Sequence, residues 1–342
     1  MEKILCLLFT EADGSLHGSA FETVGAAREL AAGLSAPFDV GLIGGAVETA
    51  AGALADAGAE KIRAASGVEF AQPRYANDAA AAEAIARACA ATIILAPATS
   101  RAGRVAAGVA QRLGGRVDTE ASAVAVAGGK PALTRWYYRQ RIETTLAREH
   151  RPWVITLAPG SLEPWSGRPG TAQVEPVGVD PPPARTRVEG VQSPPASART
   201  IRPDAELLFV AGAGWTKPQP SGPPPVEEAE RLILDFLGRT GASLGGTKSL
   251  VDMSGEGQAV LSFMTHLNQI GQTGSSPRHG KGLATCCHGE EPHVVGWRFI
   301  GERRAINMNA NCGWAHGKAD VLYVADAYDV MREVERLLAA DS

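Results

Sequence analysis

Residues 78–96 read DAAAAEAIARACAATIILA, an alanine-rich amphipathic stretch that ends in a short run of large apolar residues. The first part predicts a helix over Asp78–Ala90, and the second part predicts a buried strand over Thr92–Ala96. The same alternation recurs on both sides of this stretch and again near the end of the chain. Such alternation is typical of strand–helix–strand units, so we predict an α/β fold built on mostly parallel sheets flanked by helices.

Other segments follow the same two patterns. Between Val226 and Thr240 the apolar residues recur at a spacing that buries one face of a helix. Glycine and proline residues separate the elements, as turns between them require. The other predicted strands are Ile4–Phe9, Asp39–Ile43, Leu207–Val210 and Val321–Val324, and the other predicted helices are Glu22–Ala32, Val47–Ala57 and about Ala327–Ala340.

A proline- and glycine-rich stretch interrupts the alternation. From about Pro159 to Pro203 neither helical nor strand periodicity is visible, and the run Pro181-Pro182-Pro183 lies within it. This composition is typical of linkers. A chain of 342 residues is also the usual length for two domains. We therefore predict an N-terminal domain over residues 1–162, a linker over 163–205 and a C-terminal domain over 206–342.

Composition and charge exclude several classes of protein. With 45% hydrophobic and 20% charged residues, the chain can bury enough apolar surface to fold. A formal net charge of -4 provides no overall field for holding phosphate backbones, so we expect no nucleic-acid partner. No apolar run approaches the ~18 to 20 residues of a membrane-spanning helix, and the chain begins with a strand-like run rather than a signal-peptide core. We expect no membrane insertion and a cytoplasmic location.

Basic and aromatic residues alternate between Arg135 and Arg141. This pattern occurs in platforms that stack nucleic-acid bases, but it also occurs on half-buried strands. Because the overall charge is acidic, the strand interpretation is favoured.

The cysteines and histidines leave two interpretations open. Five cysteines are an odd number in a chain too large to need disulfides, so we expect thiols. Three of them, together with five of the seven histidines, lie in the second domain, which is also the composition of a metal site or a thiol enzyme. Zinc ligands usually come in closely spaced pairs, and no C-x-x-C or H-x-x-x-H spacing occurs, so we assign no metal site. The cysteines are Cys6, Cys89, Cys286, Cys287 and Cys312.

Several small polar segments of the second domain occur in an order that is characteristic of one protein family. Gly271–Ser276 is small, polar and flanked by glycine, so its amides and hydroxyls are suited to wrap an anionic group. With the segments around it, this loop resembles the flavin-binding region of the alpha subunit of electron transfer flavoproteins. The resemblance extends over nearly the whole chain. It is carried by Ile94–Ser100, Pro152–Gly160, Gly246–Asp252, Ile270–Gly274, Ala305–Asn307 and Ala325-Asp326.

The resemblance implies a heterodimer of this chain with an electron transfer flavoprotein beta subunit. The N-terminal domain would pack on the beta subunit, and the C-terminal domain would be a doubly wound FAD-binding domain. AMP is commonly bound in the beta subunit of this family. Such proteins collect electrons from a dehydrogenase and pass them to an acceptor oxidoreductase. The chain is therefore expected to be an electron carrier without a substrate or catalytic residues of its own.

The resemblance also assigns individual residues to the FAD site. Lys248 stands where the family has an arginine over the flavin ring, and Asn307 and Asp326 match residues that hold the adenosine portion. We hypothesise that Lys248 and His293 provide the positive charge that favours the reduced, anionic flavin. The expected FAD-binding residues are Thr247, Lys248, Ile270, Gly271, Gln272, Thr273, Gly274, His288, Gly289, His293, Asn307 and Asp326.

Several positions depart from the family pattern. Gly214-Trp215 stands where the family has Arg-Gly, His288 replaces a serine and Pro292 replaces a glutamine. The chain is also longer than usual before Gly271, where Ala259–Leu267 is expected to form an extra helix. Because one cationic contact to the cofactor is missing, a flavin-free docking subunit of a dehydrogenase complex is an alternative function. A Cys/His metal or thiol enzyme on the same scaffold is another.

Overall fold

The structure is a computed structural model, and the chain divides into two compact units, Met1–Val191 and Gln192–Ser342. Each unit is built on a mostly parallel sheet flanked by helices, as the sequence predicts. None of the helices in the described part of the chain has the length and apolar composition needed to cross a membrane. The described residues are 2–138, 142–183, 185–190, 201–202, 205–217, 222, 225–252, 260–270, 276, 278–285, 300–311 and 319–340.

The first unit contains a nine-stranded sheet, in which two antiparallel strands extend a parallel sheet at one edge. Its strand order is β7-β6-β5-β8-β4-β1-β2-β3-β9. The strands are β1 Ile4–Phe9, β2 Phe38–Gly44, β3 Ile62–Ser66, β4 Ile93–Pro97, β5 Arg116–Ala127, β6 Lys130–Tyr137, β7 Ile142–Leu146, β8 Trp153–Leu157 and β9 Val174–Pro176. The helices are α1 Gly18–Leu34, α2 Glu48–Ala53, α3 Tyr75–Ala88 and α4 Ser100–Arg112.

The central strand β1 is buried on both faces. Every residue from Ile4 to Phe9 is buried. Cys6 and Leu8 pack into the core beneath α1, while Leu5 and Leu7 pack into the core beneath α3 and α4. This two-sided burial explains why the strand is a continuous apolar run and shows no alternation with polar residues.

The chain after β8 remains part of the first unit, which differs from the linker predicted over 163–205. Three backbone amides, those of Gly160, Ser161 and Leu162, donate to the carboxylate of Glu22 at 3.0–3.3 Å. Further along, Val174–Pro176 pairs with β3 and closes the edge of the sheet. The proline and glycine content of residues 158–177 therefore produces an extended strap that packs on the first unit.

The second unit contains a five-stranded sheet of order β11-β10-β12-β13-β14, and all of its described pairings are parallel. The strands are β10 Leu207–Ala211, β11 Ser243–Gly246, β12 His279–Thr285, β13 Ile300–Ile306 and β14 Val321–Tyr323. The helices are α5 Val226–Thr240, α6 Lys248–Asp252 and α7 Ala327–Ala340, with short 3-10 turns at Ala213–Trp215 and His266–Asn268.

Helices α5 and α7 pack side by side on one face of this sheet. Their apolar stripes share a core with β10. Two ion pairs join their outer surfaces, Glu228 with Arg332 and Arg231 with Glu335. The C-terminus of α5 is set by Gly241, which adopts the left-handed conformation at φ 66°.

The helix predicted over Ala259–Leu267 is wrong for the residues that the structure describes. Residues 260–265 have no helical structure, and only the 3-10 turn at His266–Asn268 follows them. The 3-10 turn begins at His266 because the hydroxyl of Thr265 accepts from the Leu267 amide at 3.2 Å and caps the turn. Ala259 lies outside the described residues.

Candidate functional site

The carboxyl edge of the second sheet contains a topological switch point. From β10 the chain continues to β11 on one side, and it later returns to β12 on the other side of β10. In open α/β sheets the crevice beyond the carboxyl ends of such strands is where ligands bind. The candidate site therefore lies where β10, β11, β12, β13 and β14 end.

The turn after β10 is filled by its own tryptophan. Trp215 is fully buried, and its indole Nε1 donates to Thr285 Oγ1 at 2.8 Å. The Tyr328 hydroxyl donates to the Trp215 carbonyl at 2.8 Å, and the two rings meet edge to face. The turn after β10 thus contains a buried indole that packs between the sheet and α7.

Three of the sequence-predicted residues meet at the end of β11. The backbone amide of Thr247 donates to the Ala211 carbonyl at 3.0 Å, and its hydroxyl accepts from the Leu250 amide at 3.4 Å. Thr247 thereby starts α6, whose first residue is Lys248. The amide of Ile270 donates to the Gly246 carbonyl at 3.1 Å.

Close packing explains the glycines at this end of β11. A Cβ on Gly245 would lie 2.6 Å from Cγ2 of Ile270, which is closer than carbon atoms pack. Residue 245 must therefore lack a side chain for Ile270 to reach β11. As a result, Ile270 packs directly on the end of β11.

Lys248 presents a cation at this edge, but it is paired. Its side chain is 59% exposed, and Nζ lies 3.0 Å from Asp252 Oδ2, one helical turn along α6. The other carboxylate oxygen of Asp252 lies 3.7 Å from Nδ1 of His266. The local charge therefore depends on three side chains, of which sequence analysis identified only Lys248.

Asn307 lies towards the other end of the edge, directly after β13. Its backbone amide donates to the Tyr323 carbonyl at 3.0 Å, and its side-chain Oδ1 accepts from the Asn309 amide at 2.9 Å. The residue is only 6% exposed, yet Nδ2 has no hydrogen-bond partner among the described residues. A buried amide donor without a partner is costly, and such a donor often marks a place where a ligand supplies the acceptor.

Exposed apolar residues and a helix cap follow the ends of β13 and β14. Met308 and Val324 are each 57% exposed, although both are large apolar residues. Asp326 precedes α7, and its Oδ1 accepts from the amides of Tyr328 and Asp329 at 2.8 and 3.3 Å. The Asp326 carboxylate thus caps α7.

The two groups of residues lie far apart along the edge. Neighbouring strands are separated by ~4.8 Å, so the three intervals from β11, which precedes Lys248, to β13, which precedes Asn307, span about 14 Å. A single phosphate or metal ion cannot contact both Lys248 and Asn307 over that distance. An extended dinucleotide can do so.

The remaining predicted site residues belong to segments outside the described part of the chain. Gly271, Gln272, Thr273, Gly274, His288, Gly289 and His293 lie outside the described residues, as do Pro292, Cys286, Cys287 and Cys312.

The two cysteines that the structure describes, Cys6 and Cys89, are free and buried. Burial raises the pKa of the Cys6 thiol far above its ordinary value, and burial is also the main cause that raises the pKa of Cys89 to about 11. Neither thiol is therefore suited to act as a nucleophile. No cluster of potential metal ligands occurs among the residues described.

Comparison with known proteins identifies one family. Residues 6–184, just over half of the chain, match the family model described as the electron transfer flavoprotein domain. This match runs from within β1 to beyond the strap. No curated protein matches the chain.

Proposed function

This chain belongs to the electron transfer flavoprotein family, and on that premise we propose that it is the alpha subunit of such a flavoprotein. It binds FAD at the carboxyl edge of the second sheet. In a heterodimer with a beta subunit, which commonly holds AMP, it carries electrons from a dehydrogenase to an acceptor oxidoreductase. It is thus a carrier and has no substrate of its own.

The observation that carries the proposal is the unpaired amide of Asn307. Its Nδ2 is buried at the end of β13 and has no acceptor among the described residues. The adenosine portion of FAD offers ring and ribose acceptors for this donor. Met308 and Val324, which follow β13 and β14 and are exposed, offer apolar surface for the adenine ring.

The residues at the other end of the edge fit the flavin. FAD supplies the electron chemistry when it is bound, and the protein adjusts that chemistry by the charges it holds around the ring. Lys248 would offset the negative charge that reduction places on the ring. Because an ammonium group is a compact point charge, Lys248 would act from beside the ring and would not stack on it as a guanidinium does.

The main test is the optical spectrum of the chain purified with its beta subunit. We expect flavin absorbance and about one FAD per heterodimer. Colourless protein that binds no added FAD would overturn the proposal and favour a flavin-free docking subunit. Two separate species in size-exclusion chromatography of the co-expressed pair would overturn the heterodimer.

A further inference from the structure

Three ionisable side chains form a cluster beside the end of β11. Asp252 lies between the other two, with Oδ2 at 3.0 Å from Lys248 Nζ and Oδ1 at 3.7 Å from His266 Nδ1. Lys248 and Asp252 belong to the same helix, whereas His266 comes from a separate segment of the chain. The cluster is therefore produced by the fold.

The position of His266 is fixed by backbone anchors on both sides. Thr265 and Asn268 form a capping box, in which the Thr265 amide donates to Asn268 Oδ1 at 3.1 Å. The Asn268 side-chain amide donates to the Leu244 carbonyl of β11 at 3.3 Å. These bonds hold the 3-10 turn that contains His266 against β11.

We propose that Asp252 and His266 are positioning residues that set how much of the charge on Lys248 acts on the flavin. This inference rests on the function proposed above. With a neutral imidazole, the charges of Lys248 and Asp252 cancel. With a protonated imidazole, the cluster carries a net positive charge, and His266 competes with Lys248 for the Asp252 carboxylate.

The charged surroundings of His266 are simple in the described part of the chain. β11 has no charged residue, and segment 260–270 has none except His266 itself. Helix α6 contributes Lys248 and Asp252. From α5, Glu230 accepts a hydrogen bond from the Ser262 amide. Of these two carboxylates, the structure pairs that of Asp252 with His266.

As a consequence, the midpoint potential of the flavin should depend on pH through the protonation of His266. Positive charge near the ring stabilises the negative charge that reduction adds, so it raises the midpoint potential. Imidazoles ordinarily change charge between pH 5 and 8. As the pH falls through that range, the potential should rise more steeply than it does without His266.

The experiment measures the midpoint potential of the FAD-loaded heterodimer from pH 5 to 8. We expect the His266→Gln curve to be flatter than the wild-type curve and to converge with it at the alkaline end. Asp252→Asn should raise the potential at the alkaline end, because Lys248 loses its counter-charge. His150→Gln, which removes an exposed histidine of the first unit, is the matched control and should follow the wild-type curve.

The outcomes separate this inference from the proposed function. Failure of the wild-type heterodimer to take up FAD would overturn the proposed function and this inference with it. Uptake of FAD with parallel curves for wild type and His266→Gln would overturn the inference alone.

Discussion

The indole Nε1 of Trp215 lies 2.8 Å from the hydroxyl oxygen of Thr285, and both residues are fully buried. The same hydroxyl donates to the Val210 carbonyl at 3.1 Å. Thr285 thus joins the turn after β10 to the end of β12, the two strands that border the switch point. The floor of the proposed FAD site is therefore held by side chains and not only by the ladder between the strands.

Replacing Thr285 by valine should destabilise the second unit. Valine keeps the shape of threonine but leaves the buried Trp215 Nε1 without this acceptor, which costs ~1–3 kcal/mol of unfolding free energy. Thr285→Ser retains the hydroxyl and should cost less, so it is the matched control. Urea unfolding followed by tryptophan fluorescence measures the difference. Equal stability of the two variants would show that this hydrogen bond does not stabilise the unit.

Asp118 should make the unfolding free energy of the first unit fall at low pH. Its buried carboxylate accepts from Trp153 Nε1 at 2.8 Å and from the Arg148 guanidinium at 2.8 Å. Burial opposes ionisation, but the hydrogen bonds from Arg148 and Trp153 outweigh it and lower the pKa of Asp118 below its ordinary 3.8. Since the pKa of Asp118 is lowered in the folded state, its contribution to the unfolding free energy is complete above pH 3.8. That contribution is lost as the pH falls through the pKa of the folded state.

Asp118→Asn should therefore lower the unfolding free energy at pH 7 by about 1–3 kcal/mol, a range reduced because Arg148 is partly exposed. The difference from wild type should shrink below pH 3.8. Urea unfolding at several pH values measures it, with Asp56→Asn as a control at an exposed carboxylate. If the difference in unfolding free energy between wild type and Asp118→Asn did not change with pH, the ionised Asp118 carboxylate would not stabilise the first unit.

Gly25 should be required for docking of the strap. A Cβ at this position in α1 would lie 2.9 Å from the Glu163 carbonyl oxygen. The Trp165 amide of the strap donates to the Phe21 carbonyl of α1 at 3.0 Å. Gly25→Ala should displace the strap and lower the unfolding free energy by about 1–3 kcal/mol. Chymotrypsin should then cleave faster after Trp165. Gly18→Ala is the control in the same helix, because its Cβ meets nothing within 4 Å. Equal cleavage rates in the two variants would contradict this role.

Elements with a strong local pattern are predictable from the sequence. Helix α5 has the predicted bounds, Val226–Thr240, because its apolar spacing and Gly241 specify both its face and its end. Strand β2 is one residue longer at each end than predicted, at Phe38–Gly44. The strand interpretation of Arg135–Arg141 is confirmed in part, since β6 includes Arg135, Trp136 and Tyr137.

Features that depend on distant contacts are not predictable in this way. Strand β9 has three residues, one of them proline, and it exists because Val174 pairs with Ile62 of β3, far away in the sequence. The contact between Asp252 and His266 likewise joins separate segments. The resemblance identified Lys248 and Asn307, but no local pattern shows that Lys248 has an ion-pair partner or that Asn307 Nδ2 has no hydrogen-bond partner among the described residues.

Asn307→Ala should weaken FAD binding without unfolding the chain. The substitution removes a donor that has no partner among the described residues, which relieves a buried cost, and it also removes the Oδ1 bond to the Asn309 amide. These effects offset each other, so the unfolding free energy without FAD should change little. Loss of one hydrogen bond to the cofactor, ~1.4 kcal/mol, should weaken the affinity about tenfold. Fluorescence titration with FAD measures it, with the neighbouring Asn309→Ala as the control. A variant that loses stability but binds FAD as wild type does would show that Asn307 serves the fold and not the cofactor.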